Sequence, residues 1–345
     1  MKSLITLLFC MALINNSSAQ HQTKNLRYKK HAGLYGSNSG ISLFEDGTFL
    51  LYGYATGVFG RYFFEKDYLL FYPDKQELFE VFAHKNPALG DSTRINFVGF
   101  ERGSKTFVQF DQDSTQQVFN EDANCFDAPF VYQKQGRIKN LILSILPEAS
   151  SKRNGEDKSS WHYSNESGSN DFILVHNTPK REYEHFSAMI SSSKNAEVIK
   201  LSNYGGTEGF QKHGPEEKKQ WQEILEWKNQ YDQSKGLNKN AVYANKHYHT
   251  YPEIDMAKYS YNAKSNQYSD QSDQENDAYY KQNQYNDARY LRKYLKLQPS
   301  SKDEFTEGTL ANKSIFFSIC GAGAEQSYHY NGFEKYGEED GKIPN

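Results

Sequence analysis

From Gly33 to Asp111 the apolar residues recur with the two-residue period of β-strands. The clearest junction is Ile41-Ser-Leu-Phe-Glu-Asp46-Gly47-Thr-Phe-Leu-Leu-Tyr-Gly-Tyr54, where two strand-type runs flank an Asp-Gly pair. Gly supplies the positive φ that a tight turn needs, so this stretch predicts a hairpin. Further runs predict strands at 58–64, 68–72, 77–83, 94–100, 106–110 and 117–119. Their spacing leaves no room for crossover helices and implies an antiparallel meander or small barrel. The alternation puts apolar residues on both faces: Phe49 and Leu51 oppose Leu50 and Tyr52, and Leu69 and Phe71 oppose Tyr68 and Leu70. One face then lines an interior, and the other is either left with scattered aromatics or covered by more of the chain.

Beyond Gly136 the pattern changes. Residues 138–146 form an apolar run ended by Pro147, readable as strand or short helix, and 148–170 read as an exposed loop. Strands are predicted at 171–175, 183–190 and 197–201. Gly214-Pro215-Glu216-Glu217 signals a helix start, continued by Trp221, Ile224, Leu225 and Trp227 to about Tyr231. Residues 277–297 also show helical spacing, through Ala278, Tyr285, Ala288, Leu291 and Leu295, and 314–320 read as a late strand. The predicted class is mainly β with an α+β C-terminal region: an antiparallel domain over 31–135, then 136–345. Within the latter, 236–276 is poor in aliphatic residues and rich in Tyr, Asn and Gln, so it is predicted to be partly disordered, most of all at 259–275.

Gly33-Leu34-Tyr35, Asp46-Gly47-Thr48-Phe49 and Gly60-Arg61-Tyr62 together resemble the opening of lipocalin-like (calycin-type) barrels. Those begin with a Gly-x-aromatic on the first strand and enclose an apolar pocket with a meander. The first aromatic here is Tyr rather than Trp, and the family's later Thr-Asp-Tyr loop and C-terminal Arg have no counterpart. The resemblance spans about 100 residues. It implies a barrel and a ligand within it. Arg61 and Arg94, on otherwise apolar strands, are candidate anchors for an acidic ligand in the barrel mouth, and Tyr54 is a further candidate ligand-binding residue. The bland alternative makes both arginines solvated face residues.

Composition bounds the rest. Lys2, the apolar run 4–14 and Ser17-Ser18-Ala19 read as a signal peptide over 1–19, too short in its apolar part to span a bilayer. The expected location is secreted or periplasmic, with surface association as a variant. A formal net charge of −3 without any Lys/Arg block gives no footprint for nucleic acid, and no later run is long enough for a transmembrane helix. Past the signal only Cys125 and Cys320 remain; an oxidising compartment predicts that they pair, and two separately buried thiols are the competing account.

The chemistry has no specific motif. Gly205-Gly206-Thr-Glu-Gly209 reads as a glycine connector before an anion cradle, His247-Tyr-His249 as surface histidines before a metal pair, and Asp111-Gln-Asp113 as a turn before a calcium loop. No cofactor is expected. The leading expectation is a non-enzymatic binder of a small apolar or amphipathic ligand or of an envelope component. Two others stand: an extracellular hydrolase with its site at the domain junction, and an interaction module using the Tyr-rich segment.

Overall fold

The computed structural model describes residues 26–54, 56–102, 105–146, 159–178, 180–193, 196–214, 218–235, 239–270, 277–305 and 310–334. The signal-peptide segment, Pro215 to Glu217, the ends of the 236–276 segment and residues 335–345 of the tail lie outside them.

The fold is mostly β. Residues 26–31 form helix α1. Then come β1 Gly33–Tyr35, β2 Gly40–Leu43, β3 Thr48–Gly53, β4 Thr56–Glu65 and β5 Tyr68–Pro73. The middle holds β6 Phe79–His84, β7 Thr93–Val98, β8 Lys105–Phe110, β9 Gln116–Gln117 and β10 Phe130–Lys134. It continues with β11 Asn140–Leu146, β12 Ser159–Ser164 and β13 Asp171–His176. After these come β14 Phe186–Ser193, β15 Ala196–Leu201, β16 Phe210–Gln211 and helix α2 Lys218–Ser234. The last part holds β17 Ala241–Ala244, β18 Thr250–Tyr251, β19 Tyr259–Asn262, β20 Gln267–Asp270, helix α3 Asp277–Gln282, β21 Tyr290–Leu297 and β22 Ser301–Glu304.

The chain divides into two units, 1–75 with 180–236 and 76–179 with 237–345. The meander leaves its first sheet after Pro73, and β5 is joined there by β14. The first unit is an eight-stranded antiparallel sheet in the order β1-β2-β3-β4-β5-β14-β15-β16. It curls into a nearly closed barrel whose seam is held by the Tyr35–Lys212 bridge, Gly36 N to Gln211 O at 3.0 Å and His213 N to Leu34 O at 2.8 Å. The Asp46-Gly47 hairpin is present, with Leu43 opposite Phe49. Its loop is longer than a two-residue turn: Phe44 N donates to Thr48 O, Gly47 sits at φ 82°, and Asp46 Oδ1 accepts from Thr48 N at 2.9 Å.

The two apolar faces of these strands go to two places. Tyr35, Ile41, Leu43, Phe49, Leu51, Tyr62, Phe71, Phe186 and Ile199 pack inward as one cluster of rings and branched chains. Leu34, Phe44, Leu50 and Tyr52 face outward, where Ile224 and Trp221 of α2 cover them. Helix α2 therefore sits on the barrel's outer wall, its apolar stripe matched to the second apolar face.

The second unit holds a larger mixed sheet, with β10-β7-β13-β6-β21-β17-β18 as its path, and a five-stranded sheet β22-β12-β11-β8-β9. Residues of both, among them Phe97, Phe110, Leu143, Phe172 and Leu174, form a common core. The apolar run 138–146 is strand β11. Two sequence expectations are corrected here. Residues 277–297 are not one helix: after α3 the chain becomes β21, whose hydrogen bonds are claimed by β6 and β17. Residues 314–320 form no regular strand; they lie alongside 117–125 through the Phe119–Phe316 bridge, through backbone bonds such as Phe316 N to Val118 O at 2.9 Å and Asn124 N to Ser318 O at 3.1 Å, and through Asn side chains that add to them. Asn120 Oδ1 accepts from Ser318 N, and Asn124 Oδ1 from Cys320 N, each at 2.8 Å. Those contacts bring Cys125 and Cys320 into a disulfide, Cα to Cα 5.1 Å. Tyr259–Asn262 and Gln267–Asp270 pair as a hairpin, and Tyr268 and Ser269 extend it onto β21.

Candidate functional site

Helix α2 crosses the barrel's outer wall and leaves a cleft of about 650 Å³ against the end of α1, the start of β1 and the β2–β3 turn. Leu34, Phe44, Trp221 and Leu225 supply its apolar lining. Phe44 and Trp221 stack at 5.7 Å between ring centroids, so the floor is a rigid aromatic surface. Lys29, Lys212, Lys228 and His213 stand around it, with Glu45 and Asp46 as the acids. The volume falls in the range of small-molecule sites, roughly 300–1,000 Å³.

Each cation has its own setting. Lys228 projects from α2 to Asp46 at 2.8 Å and also pairs with Asp232. Burial works against its charge, but the two carboxylates outweigh that and raise its pKa. Asp46 responds in the opposite sense: burial pushes it up, while Lys228 and the Thr48 hydroxyl and amide hold it below the ordinary carboxylate range. Lys212 leans over Gly33 to reach the carbonyl of Lys30 at 3.0 Å and Glu197 Oε1 at 3.4 Å. Lys29 is exposed and has no ion-pair partner among the described residues.

Glu197 is the hub of the barrel seam. Its Oε2 accepts from His31 Nδ1 at 2.9 Å, and its Oε1 meets the Tyr35 hydroxyl as well as Lys212. Burial raises the Glu197 pKa, but Tyr35, Lys212 and His31 together hold it below the ordinary value. Burial also lowers the His31 pKa despite the carboxylate beside it. A neutral His31 donating Nδ1–H to an ionised Glu197 satisfies both groups. This network ties α1, β1 and β15 together directly beside the cleft.

The residues proposed from sequence do not converge. Tyr54 lies fully exposed in the turn after β3. Arg61 points outward from β4, opposite Tyr72 on β5, rather than into the barrel. Arg94 belongs to the second unit, on β7, where it pairs with the buried carboxylate of Asp171 at 3.2 Å. The glycines Gly205, Gly206 and Gly209 form the β15–β16 connection at φ values of 77°, 58° and 77°. Asp111 caps a turn, its Oδ1 accepting from Lys139 N and Asn140 N. His247 is buried and is not a surface residue, whereas His249 is half-buried; both lie in a turn pinned by Asn245 Oδ1. No group of three or more metal-ligating side chains occurs among the described residues. Sequence reasoning missed Trp221, Leu225 and Lys228 as site residues, although their spacing on one side of α2 was visible.

No protein-family model, curated protein or solved structure matches this chain.

Proposed function

We propose that the protein is a secreted, lipocalin-like, non-enzymatic binder of a small amphipathic molecule, taken up in the cleft between α2 and the barrel wall. The observation that carries this is the pairing of a rigid apolar floor, Phe44 on Trp221, with a rim of three lysines in one concavity. An apolar tail would bury against Leu34, Phe44, Trp221 and Leu225, and an acidic head would meet Lys29, the rim cation without a partner. The barrel interior contributes the wall rather than the pocket, since its inward positions are filled by their own rings. The disulfide supports a setting outside the reducing cytosol.

Titration with 1-anilinonaphthalene-8-sulfonate, followed by displacement with saturated fatty acids of increasing chain length, tests the reading. The expected result is saturable binding with affinity rising with chain length, weakened at least about tenfold by Trp221→Ser. Lys29→Gln should weaken fatty acids more than the matching alcohols. Failure of displacement at any chain length overturns the assignment, as does undiminished binding by folded Trp221→Ser.

A further inference from the structure

A row of polar side chains crosses the sheet of the second unit. Arg94 on β7 is the register partner of Asp171 on β13, and Asp171 is the partner of His84 on β6. Tyr294 on β21 follows, its ring 5.2 Å from that of His84. Asp171 is fully buried and saturated: it accepts from Asn86 Nδ2 at 2.6 Å, Tyr248 Oη at 2.7 Å and Arg94 Nη2 at 3.2 Å. Tyr248 reaches it from the Asn245–His249 turn at a φ of 64°, a conformation that a bulky residue adopts only when its surroundings enforce it.

Charge does not balance around this row. Asp171 neutralises Arg94, and Lys296 farther along β21 is held by Glu77 and Glu80. His84 adds no positive charge, because burial depresses its pKa and its Nδ1 donates to the Lys293 carbonyl at 2.9 Å. Arg292 makes no ion pair among the described residues, and its Nη1 is buried with no hydrogen-bond partner. The Nε of Arg94 is likewise buried and without a hydrogen-bond partner. Buried donors of this kind are costly unless something accepts from them.

Arg292 also lines a cleft of about 340 Å³. The other cations there are already matched: Arg289 holds Asp277 and Asp287, Lys246 holds Glu334, and Lys281 holds Asp277. One guanidinium is left over, with a planar fork of donors suited to two oxygens of one anion.

We propose that this cleft binds a small molecule bearing a carboxylate or phosphate, with Arg292 as its charge partner. The site is separate from the cleft against α2 and does not depend on the function proposed for it.

Thermal-shift and calorimetric titration of the full chain at constant ionic strength, with succinate and inorganic phosphate as probes and chloride as the reference salt, provides the test. At least one probe should bind saturably and raise Tm above the chloride control; which one does so separates the carboxylate source from the phosphate source. Arg292→Gln should weaken that binding more than about tenfold, the loss of a charged hydrogen bond. Arg292→Lys, which keeps the charge and loses the fork, should fall between the two. Arg61→Gln should bind like the parent. Absence of binding by the unaltered protein overturns the proposal, even where the Arg292→Gln variant does not fold. So does equal affinity in a folded Arg292→Gln.

Discussion

The rings of Phe59 and Tyr231 lie face to face, 4.1 Å between centroids and 8° between planes. Phe59 stands on the outer face of β4 and Tyr231 in the last turns of α2, so this stack fastens the far end of the helix to the barrel. The Tyr231 hydroxyl adds a bond to Asp74 just past β5. Tyr231→Ala should cost about 1–3 kcal/mol, an aromatic contact plus lost burial. Tyr231→Phe should cost less, because it keeps the stack. Urea unfolding followed by tryptophan fluorescence distinguishes the two; equal losses would mean that the hydroxyl, and not the ring, holds the helix.

Gly60 marks a point of close backbone approach. A Cβ placed there would lie 2.4 Å from the Tyr72 carbonyl oxygen and 2.6 Å from Pro73 Cα. Those are backbone atoms of the paired strand, so they cannot yield without spreading β4 from β5. Gly60→Val should destabilise the barrel by at least about 1–3 kcal/mol, the cost of overpacking. Gly57→Ala on the same strand is the control, since nothing lies within 4 Å of its Cβ position. A Gly60→Val protein that melts with the parent would refute the close approach.

The Cys125–Cys320 bond closes a segment with a sequence separation of 195. Chain entropy alone sets a stabilisation of about 5 kcal/mol for such a loop, and observed values usually run lower. The double Cys125→Ser, Cys320→Ser variant should therefore lose about 2–5 kcal/mol, and the reduced parent should behave like it. Guanidinium unfolding with and without reductant checks this. Reduction should leave Tm unchanged if the asparagine bonds of Asn120 and Asn124 hold the two segments unaided.

The second unit should weaken in mild acid. Burial lowers the pKa of His84 and of His176, and takes that of His247 down to about 4, with Lys246 and Arg94 adding to the effect on His247. A histidine whose folded pKa lies below its unfolded one favours the folded state when neutral. That contribution is complete above about pH 6.5 and is lost as pH falls toward the folded value, here between about 6.5 and 4 for His247. Thermal unfolding across that range should show Tm falling. His247→Asn should flatten the fall; a slope identical to the parent's would assign the acid sensitivity elsewhere.

The hydrophobic pattern alone determined a great deal. Alternation at Ile41–Leu43, Phe49–Leu51 and Leu69–Phe71 fixed strands, their faces and the Asp46-Gly47 junction, because a strand's period and a glycine's positive φ are local properties. The Trp221–Ile224–Leu225 spacing likewise anticipated α2. Tertiary structure decided what local preference leaves degenerate. Leu295 and Leu291 share a helical face on paper, yet Leu295 is exposed and Tyr294 is fully buried, since β6 and β17 offered hydrogen-bonding edges that a helix could not use. The barrel's partners for β5 lie more than a hundred residues on, at β14, a pairing that no short-range pattern encodes. The same holds for the sites. Arg94 was visible as a cation on an apolar strand, but its partner Asp171 and the uncompensated Arg292 came together only when β7, β13, β6 and β21 joined one sheet. Trp221 met Phe44 only when α2 docked on the barrel.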